Sequence, residues 1–213
     1  MNAVWARWAS LLGIPFAVFV VVGAMIGGST PDSDATAQHV VTWYHDHRTS
    51  VMTSSFLIVY GLIIGVCFAA ALRSYFRARS ASDSLTLLGF GGAVTIAAGG
   101  MVTAGLSFAA AEVPLKISPG AEQALNVASN DVFFALLGGA FLFLMGFGLA
   151  ILSAATLPRW LGWVAIPFAV LAVTPIGWIV LIFALPIWVL IVSVLVFLRQ
   201  GEQSAAAPAP ATG

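Results

Sequence analysis

The sequence predicts an all-α, polytopic membrane protein with six transmembrane helices and both termini cytoplasmic. Three observations lead there. Of 213 residues, 61% are hydrophobic and only 8% charged, with a mean hydropathy of +1.04; soluble domains carry roughly a quarter charged residues. The apolar residues gather into six runs, about 10–28, 51–72, 85–111, 132–156, 158–174 and 177–198, near the ~20 residues that cross a bilayer as a helix. No Asp, Glu, Lys, Arg or His lies in the middle of any run. Backbone groups in hydrocarbon must bond within their own segment, so each run is expected to be a helix. Residues 1–199 form one six-helix domain on this reading, and the Ala/Pro-rich 200–213 a disordered cytoplasmic tail.

Taken in order, span one follows Arg7 and imitates a signal peptide, but its apolar core exceeds the usual 7–15 residues, so it is read as a retained span. "STPDSD" (29–34) is turn-rich. Over 36–51, Val40, Trp43, Tyr44, His47 and Val51 recur at helical spacing, which predicts one helix running into span two. "RSYFRARSASDS" (73–84) is a charged connection. In span three, Thr95, Gly99, Thr103 and Ser107 recur every fourth residue and form one slowly drifting face. Together with Gly61 and Gly65 in span two and Gly138, Gly139, Gly146 and Gly148 in span four, it reads as close helix packing. The alternative for span three is a narrow polar path. "PGAEQALNVASND" (119–131) reads as a short helix with a polar stripe, Gln123, Asn126 and Asn130. That stripe either docks on 36–50 as an outer cap or faces solvent. "LPRW" (157–160) is a tight turn, with Pro158 suited to the first turn of span five. Pro15, Pro167 and Pro186 are expected to kink or break spans one, five and six. "RWASLLGIPFAV" (7–18) and "RWLGWVAIPFAV" (159–170) share seven of twelve residues, an echo that convergence among apolar helices accounts for slightly better than duplication.

Six cations (Arg7, Arg73, Arg77, Arg79, Arg159, Arg199) fall on one side of the six-span arrangement, and Arg48 and Lys116 on the other. The positive-inside rule makes the first side cytoplasmic. Trp5, Trp8, Tyr75, Trp160 and Trp163 are expected to belt the inner interface, and Trp43, Tyr44 and Trp178 the outer one. The outer face then carries all three histidines and most of the acids. The net charge is zero, so no basic surface for nucleic acid exists. Missing mid-span charges argue against a proton pump, a voltage sensor or haem held by intramembrane histidines.

The most chemical-looking stretch is "WYHDHRTS" (43–50). On a helix, His45 and His47 point about 200° apart and cannot share one metal. No histidine pair has the i, i+4 spacing of the helical zinc motif. A metal site needs His47, or His45 and His47, with acids of the second outer loop, where Glu112, Glu122 and Asp131 are available; His45, His47 and Glu112 are the candidate set, which zinc accepts. The structural reading has His47 and Arg48 capping the outer end of span two and pairing with acids of the second outer loop. Candidate ligand or cap residues are therefore Asp46, His47, Arg48, Glu112, Gln123, Asn126, Asn130 and Asp131. No cofactor is expected.

"DHRTS" (46–50), "QALNVASND" (123–131), "LPRWLGW" (157–163) and "LPIWVLIVSVLV" (185–196) together resemble a bacterial family of six-span membrane proteins designated a domain of unknown function. The resemblance covers about 1–199 and implies the six-span fold, with no established activity or cofactor. The expectation is a non-enzymatic protein of a bacterial cytoplasmic membrane that binds a lipid, a small apolar ligand or a membrane partner, a second copy included. Two alternatives remain: an outer-leaflet metal-assisted hydrolase, and a small permease using the span-three face.

Overall fold

Prolines and glycines mark most of the places where this chain leaves the regular α-helix. The computed structural model describes residues 7–79, 81–154 and 157–206, and among them every regular element is helical. A 3-10 turn, Ser10–Leu12, precedes Pro15 and opens into α1 (Gly13–Gly27). Gly28 ends it at φ +67°, a backbone region that a Cβ disfavours. Then come α2 (Ala37–Asp46), α3 (Arg48–Arg77), α4 (Asp83–Glu112) and α5 (Pro119–Asp131). The hydroxyls of Thr36 and Ser118 accept from the His39 and Ala121 N–H groups and cap α2 and α5. Helix α6 (Phe133–Ala154) continues α5 across a short joint, and α7 (Arg159–Ala172) follows. A single α turn, Gly177–Ile179, and a π turn, Val180–Ala184, lead into α8 (Leu185–Ala206). The π turn has a cause: Pro186 has no N–H for the Ile182 carbonyl, and the Leu185 N–H reaches back five residues to Val180.

Five helical runs are long and apolar enough to cross a membrane: Arg7–Gly27, Arg48–Arg77, Asp83–Glu112, Pro119–Ala154 and Gly177–Glu202. The expected fifth span is shorter than predicted, a 14-residue helix. Pro175 biases Thr174 away from helix, so the chain breaks early. Gly177 folds back against the Ala172 carbonyl and meets the Leu137 side chain, so 172–177 is a compact turn at the end of α7. Helix α7 is continuous through Pro167, so of the kink or break expected there, no break occurs.

Other expectations are corrected. The helix over 36–51 is two helices, jointed at His47 (φ −104°, ψ 15°); the bend lets α2 lay Val40, Val41 and Tyr44 inward. Tyr44 and Tyr75 are buried rather than in an interfacial belt, whereas Trp8, Trp160, Trp163 and Trp178 are exposed. Trp5 lies outside the described residues. The chain stays helical to Ala206, past the expected start of a disordered tail. Its end is held where Arg7 lies over the Phe197 ring at 4.3 Å and beside Gly201; 207–213 lie outside the described residues.

Packing runs α1 on α3, α3 on α4, α4 on α6 and α6 on α7, and α8 closes the circuit on α1 and α7. The α4–α6 seam is made by glycine. A Cβ on Gly92 would strike the Phe143 backbone, one on Gly139 the Ile96 nitrogen, and one on Gly146 the Gly89 backbone. Small residues thus bring the two backbones into contact, as hydrocarbon-embedded helices favour. Toward the chain ends the centre is filled by Phe68, Phe143, Phe147 and Trp188. The Trp188 indole N–H donates to the Leu161 carbonyl at 3.1 Å, so its one polar atom is satisfied. Arg73 and Arg77 both grip Asp83, at 3.0 and 3.1 Å, across the turn between α3 and α4.

Candidate functional site

The end of the bundle away from Arg7 and Gly201 carries a polar cap built by α5, α2 and the 29–35 loop. A loop carbonyl has no helical partner of its own, and α5 supplies amides to meet it. The Gln123 side chain donates to the Ala35 carbonyl at 2.8 Å. Asn126 and Asn130 both donate to the Pro31 carbonyl, at 3.0 and 3.2 Å. Asn130 also accepts from the Thr30 hydroxyl at 3.3 Å. The Tyr44 hydroxyl donates to Asn126 Oδ1 at 3.2 Å and ties α2 to α5. Behind these bonds Val40, Tyr44, Val51, Ala110 and Ala111 form a small apolar core of their own.

The other sequence candidates are not gathered with them. Arg48 Nε donates to the Ala111 carbonyl at 3.1 Å, and no ion pair joins Arg48 to an acid among the described residues. The expected pairing with outer-loop acids is therefore replaced by capping of α4, whose last carbonyls lack helical partners and carry partial negative charge. His47 stacks on the Trp43 ring with centroids 4.5 Å apart, and its Nδ1 lies 2.9 Å from the Trp43 carbonyl. His45, Asp46, Glu112 and Asp131 are exposed. Among the described residues no three His, Cys, Asp or Glu side chains come close enough to hold a metal, so His45, His47 and Glu112 are not brought together.

The buried face of α5 is Glu122, Asn126 and Ser129, one residue round from the stripe the sequence suggests. Glu122 is fully buried and neither carboxyl oxygen has a hydrogen-bond partner. Burial pushes its carboxyl above the ordinary carboxylate range. The Tyr44 hydroxyl is pushed up to about 12, first by burial, with the Ser107 hydrogen bond acting the other way and the Glu122 charge adding to the rise. Ser129 donates to the Thr103 carbonyl at 3.3 Å and lies 2.9 Å from the Ser107 hydroxyl, which carries the polar network down onto α4.

Directly beneath lies a cavity of about 260 Å³ enclosed by α1, α3, α4, α6 and the π turn. For scale, an engineered apolar cavity of about 150 Å³ takes up benzene. Its floor is apolar: Phe16, Leu62, Ile96 and Leu185. Toward the cap it meets Ser54, Ser55, Thr103, Ser107 and Thr30. The lining reaches the exposed Gly28 at the end of α1, so the space opens there. From Ile96 to Ser107 it follows α4 for about 16 Å. No charged side chain lines it.

The span-three face divides accordingly. Thr95 bonds the Gly91 carbonyl, and Gly99 packs on Ala135 and Leu136 of α6; only Thr103 and Ser107 reach the cavity. Sequence reasoning missed Ser54 and Ser55, and it placed Glu122 only among the acids available to a metal site. The first two have the signal of adjacent hydroxyls in an apolar run; Glu122 has that of sitting four residues before Asn126. No family model matches the chain, and no curated protein or solved structure matches it.

Proposed function

We propose that this is a six-span bacterial inner-membrane protein, both termini cytoplasmic, that binds one lipid or small apolar molecule under an outer cap. The cavity carries the reading. It is large and apolar at its floor, its few polar groups cluster at one end, and that gradient runs the same way along α1, α3 and α4. A soluble polar substrate would find almost no partners there, whereas an amphiphile matches both ends. Helix α7 rises about 21 Å against a hydrocarbon thickness of about 30 Å; as the fifth span it requires local thinning of the bilayer or snorkelling of its flanking residues. The segregation of arginines supports this orientation.

Native mass spectrometry of the protein released from its own membranes in mild detergent tests the binding. One retained apolar molecule per chain is expected. Ala24→Trp, which projects a large ring into the cavity, loses it while the protein keeps its elution volume. An unchanged complement in that variant would sink the proposal. Orientation is read separately with a membrane-impermeant maleimide on intact cells in a Cys67→Ser background. Lys116→Cys is expected to label and Arg77→Cys to stay protected; the reverse pattern inverts the topology.

A further inference from the structure

We infer that the occupant of this cavity is an alcohol-headed lipid, one whose polar end is an uncharged hydrogen-bond donor. The inference rests on the cavity being a binding site, and it follows from where the hydroxyl hydrogens of the lining already go.

A serine or threonine hydroxyl has one hydrogen to give and two lone pairs to offer. Ser54 gives its hydrogen to the Gly23 carbonyl at 2.7 Å, and Ser55 gives its own to the Val51 carbonyl at 2.9 Å. Thr30 gives its hydrogen to Asn130 Oδ1. Ser129 spends its hydrogen on the Thr103 carbonyl, and the single Ser107 hydrogen goes to one of its two neighbours, the Ser129 or the Tyr44 hydroxyl. The Thr103 hydroxyl oxygen is buried without a partner, so it is shut off from the open space. Four hydroxyls at the polar end therefore present lone pairs and no free hydrogen. The backbone there has the same polarity. Gly27 and Gly28 close the C-terminal end of α1, where carbonyls lack partners and the helix carries partial negative charge.

An acceptor-only wall selects its guest. A carboxylate or phosphate head would bring lone pairs to lone pairs, with no cation in the lining to compensate. An ammonium would be desolvated with no anion beside it in the wall. An ester or ether head has nothing to donate. An alcohol donates one hydrogen to the acceptor cluster, and its chain descends toward Phe16, Leu62 and Ile96.

The test is a native mass spectrometry titration of the full chain in mild detergent with four probes of one chain length: 1-dodecanol, dodecyl methyl ether, dodecanoate and dodecylammonium. The alcohol is expected to bind one per chain, about five- to tenfold tighter than the ether, as one net hydrogen bond implies, with the two charged probes weaker still. Ser55→Ala removes a lone-pair donor whose only protein bond is within its own helix. It is expected to narrow the alcohol-to-ether ratio without weakening the ether. An ether as tight as the alcohol, or a charged probe tighter than it, overturns the alcohol assignment while leaving the cavity as the site. If no probe binds, or if neither Ala24→Trp nor Ile182→Trp weakens the alcohol, the binding reading itself fails.

Discussion

The α4–α6 seam and the outer part of the α1–α8 seam draw on the same small-residue vocabulary and end in opposite states. In the first, glycines face backbone across two antiparallel helices, and the strands of the seam touch along Gly89, Gly92, Gly139 and Gly146. In the second, α1 and α8 are joined only toward the chain ends. There Gly13 seats against Val189 and Ser193, and the Ser193 hydroxyl donates to the Ser10 carbonyl. Beyond that point Ala24 and Gly27 of α1 and Leu181 and Ile182 of the π turn border the cavity instead of closing the seam. Small residues close a seam when register sets them against backbone. They open one when the facing helix is thrown out of step by a proline.

The largest expected effect comes from breaking the closed seam. Gly146→Leu drives a side chain into the α4 backbone with no flexible neighbour to yield, and overpacking of this kind costs upward of ~3 kcal/mol. Gly138→Leu, where a Cβ meets nothing within 4 Å, should leave size-exclusion profile and melting temperature near wild type. Equal behaviour of the two variants would refute close packing as what holds α4 to α6.

The cap over the open seam comes next. Asn126→Ala removes the acceptor of the Tyr44 hydroxyl and one of the two donors to the Pro31 carbonyl, a loss of about 1–2 kcal/mol in thermal unfolding, with faster loss of the bound molecule. A cap that serves only solvation would lose stability without changing that release rate.

Glu122 sharpens the contrast through pH. Its carboxyl holds a proton more tightly in the fold than in the unfolded chain. Stability therefore falls as pH rises from about 4.3, the ordinary glutamate value, through the raised native value, and is level above it. Glu122→Gln is expected to flatten that slope and raise the melting point at pH 7.5 by a few degrees, ~1 kcal/mol being about 2–4 °C for a chain this size. A slope unchanged in the variant would assign the pH dependence elsewhere. The smallest effect is that of Arg48→Ala, which uncaps α4 for about 0.5–1 kcal/mol, read as a small drop in melting temperature that salt reproduces in the wild type.

Much of the fold was legible because hydrocarbon leaves the backbone one choice. The runs, the Ser118–Pro119 start of α5 and the breaks at Gly28 and Pro175 follow from local chemistry. The site was harder to see. Glu122 reads as solvent-facing because a carboxylate is costly to bury, whereas the neighbouring stripe of Gln123, Asn126 and Asn130, legible as polar, does bond the 29–35 loop. Tyr44 reads as an interfacial anchor because nothing local reveals that Asn126, 82 residues later, receives its hydroxyl. The cavity depends on the relative register of α1, α3, α4 and the π turn, and Pro186 announces a disturbance without giving its direction.

The pairing of α1 with α8 also sets an order of events in biogenesis. Helix α1 leaves the ribosome first among these helices, and the surface that seats Gly13 and carries the Ser193 hydroxyl leaves last. Until α8 is threaded into the bilayer, the wall formed by Leu181, Ile182 and Leu185 does not exist and the cavity is a groove facing bulk lipid. On the proposed function, the nascent chain samples the membrane's mixture along α1 until the π turn and α8 arrive, and that segment is the latch that would retain one molecule.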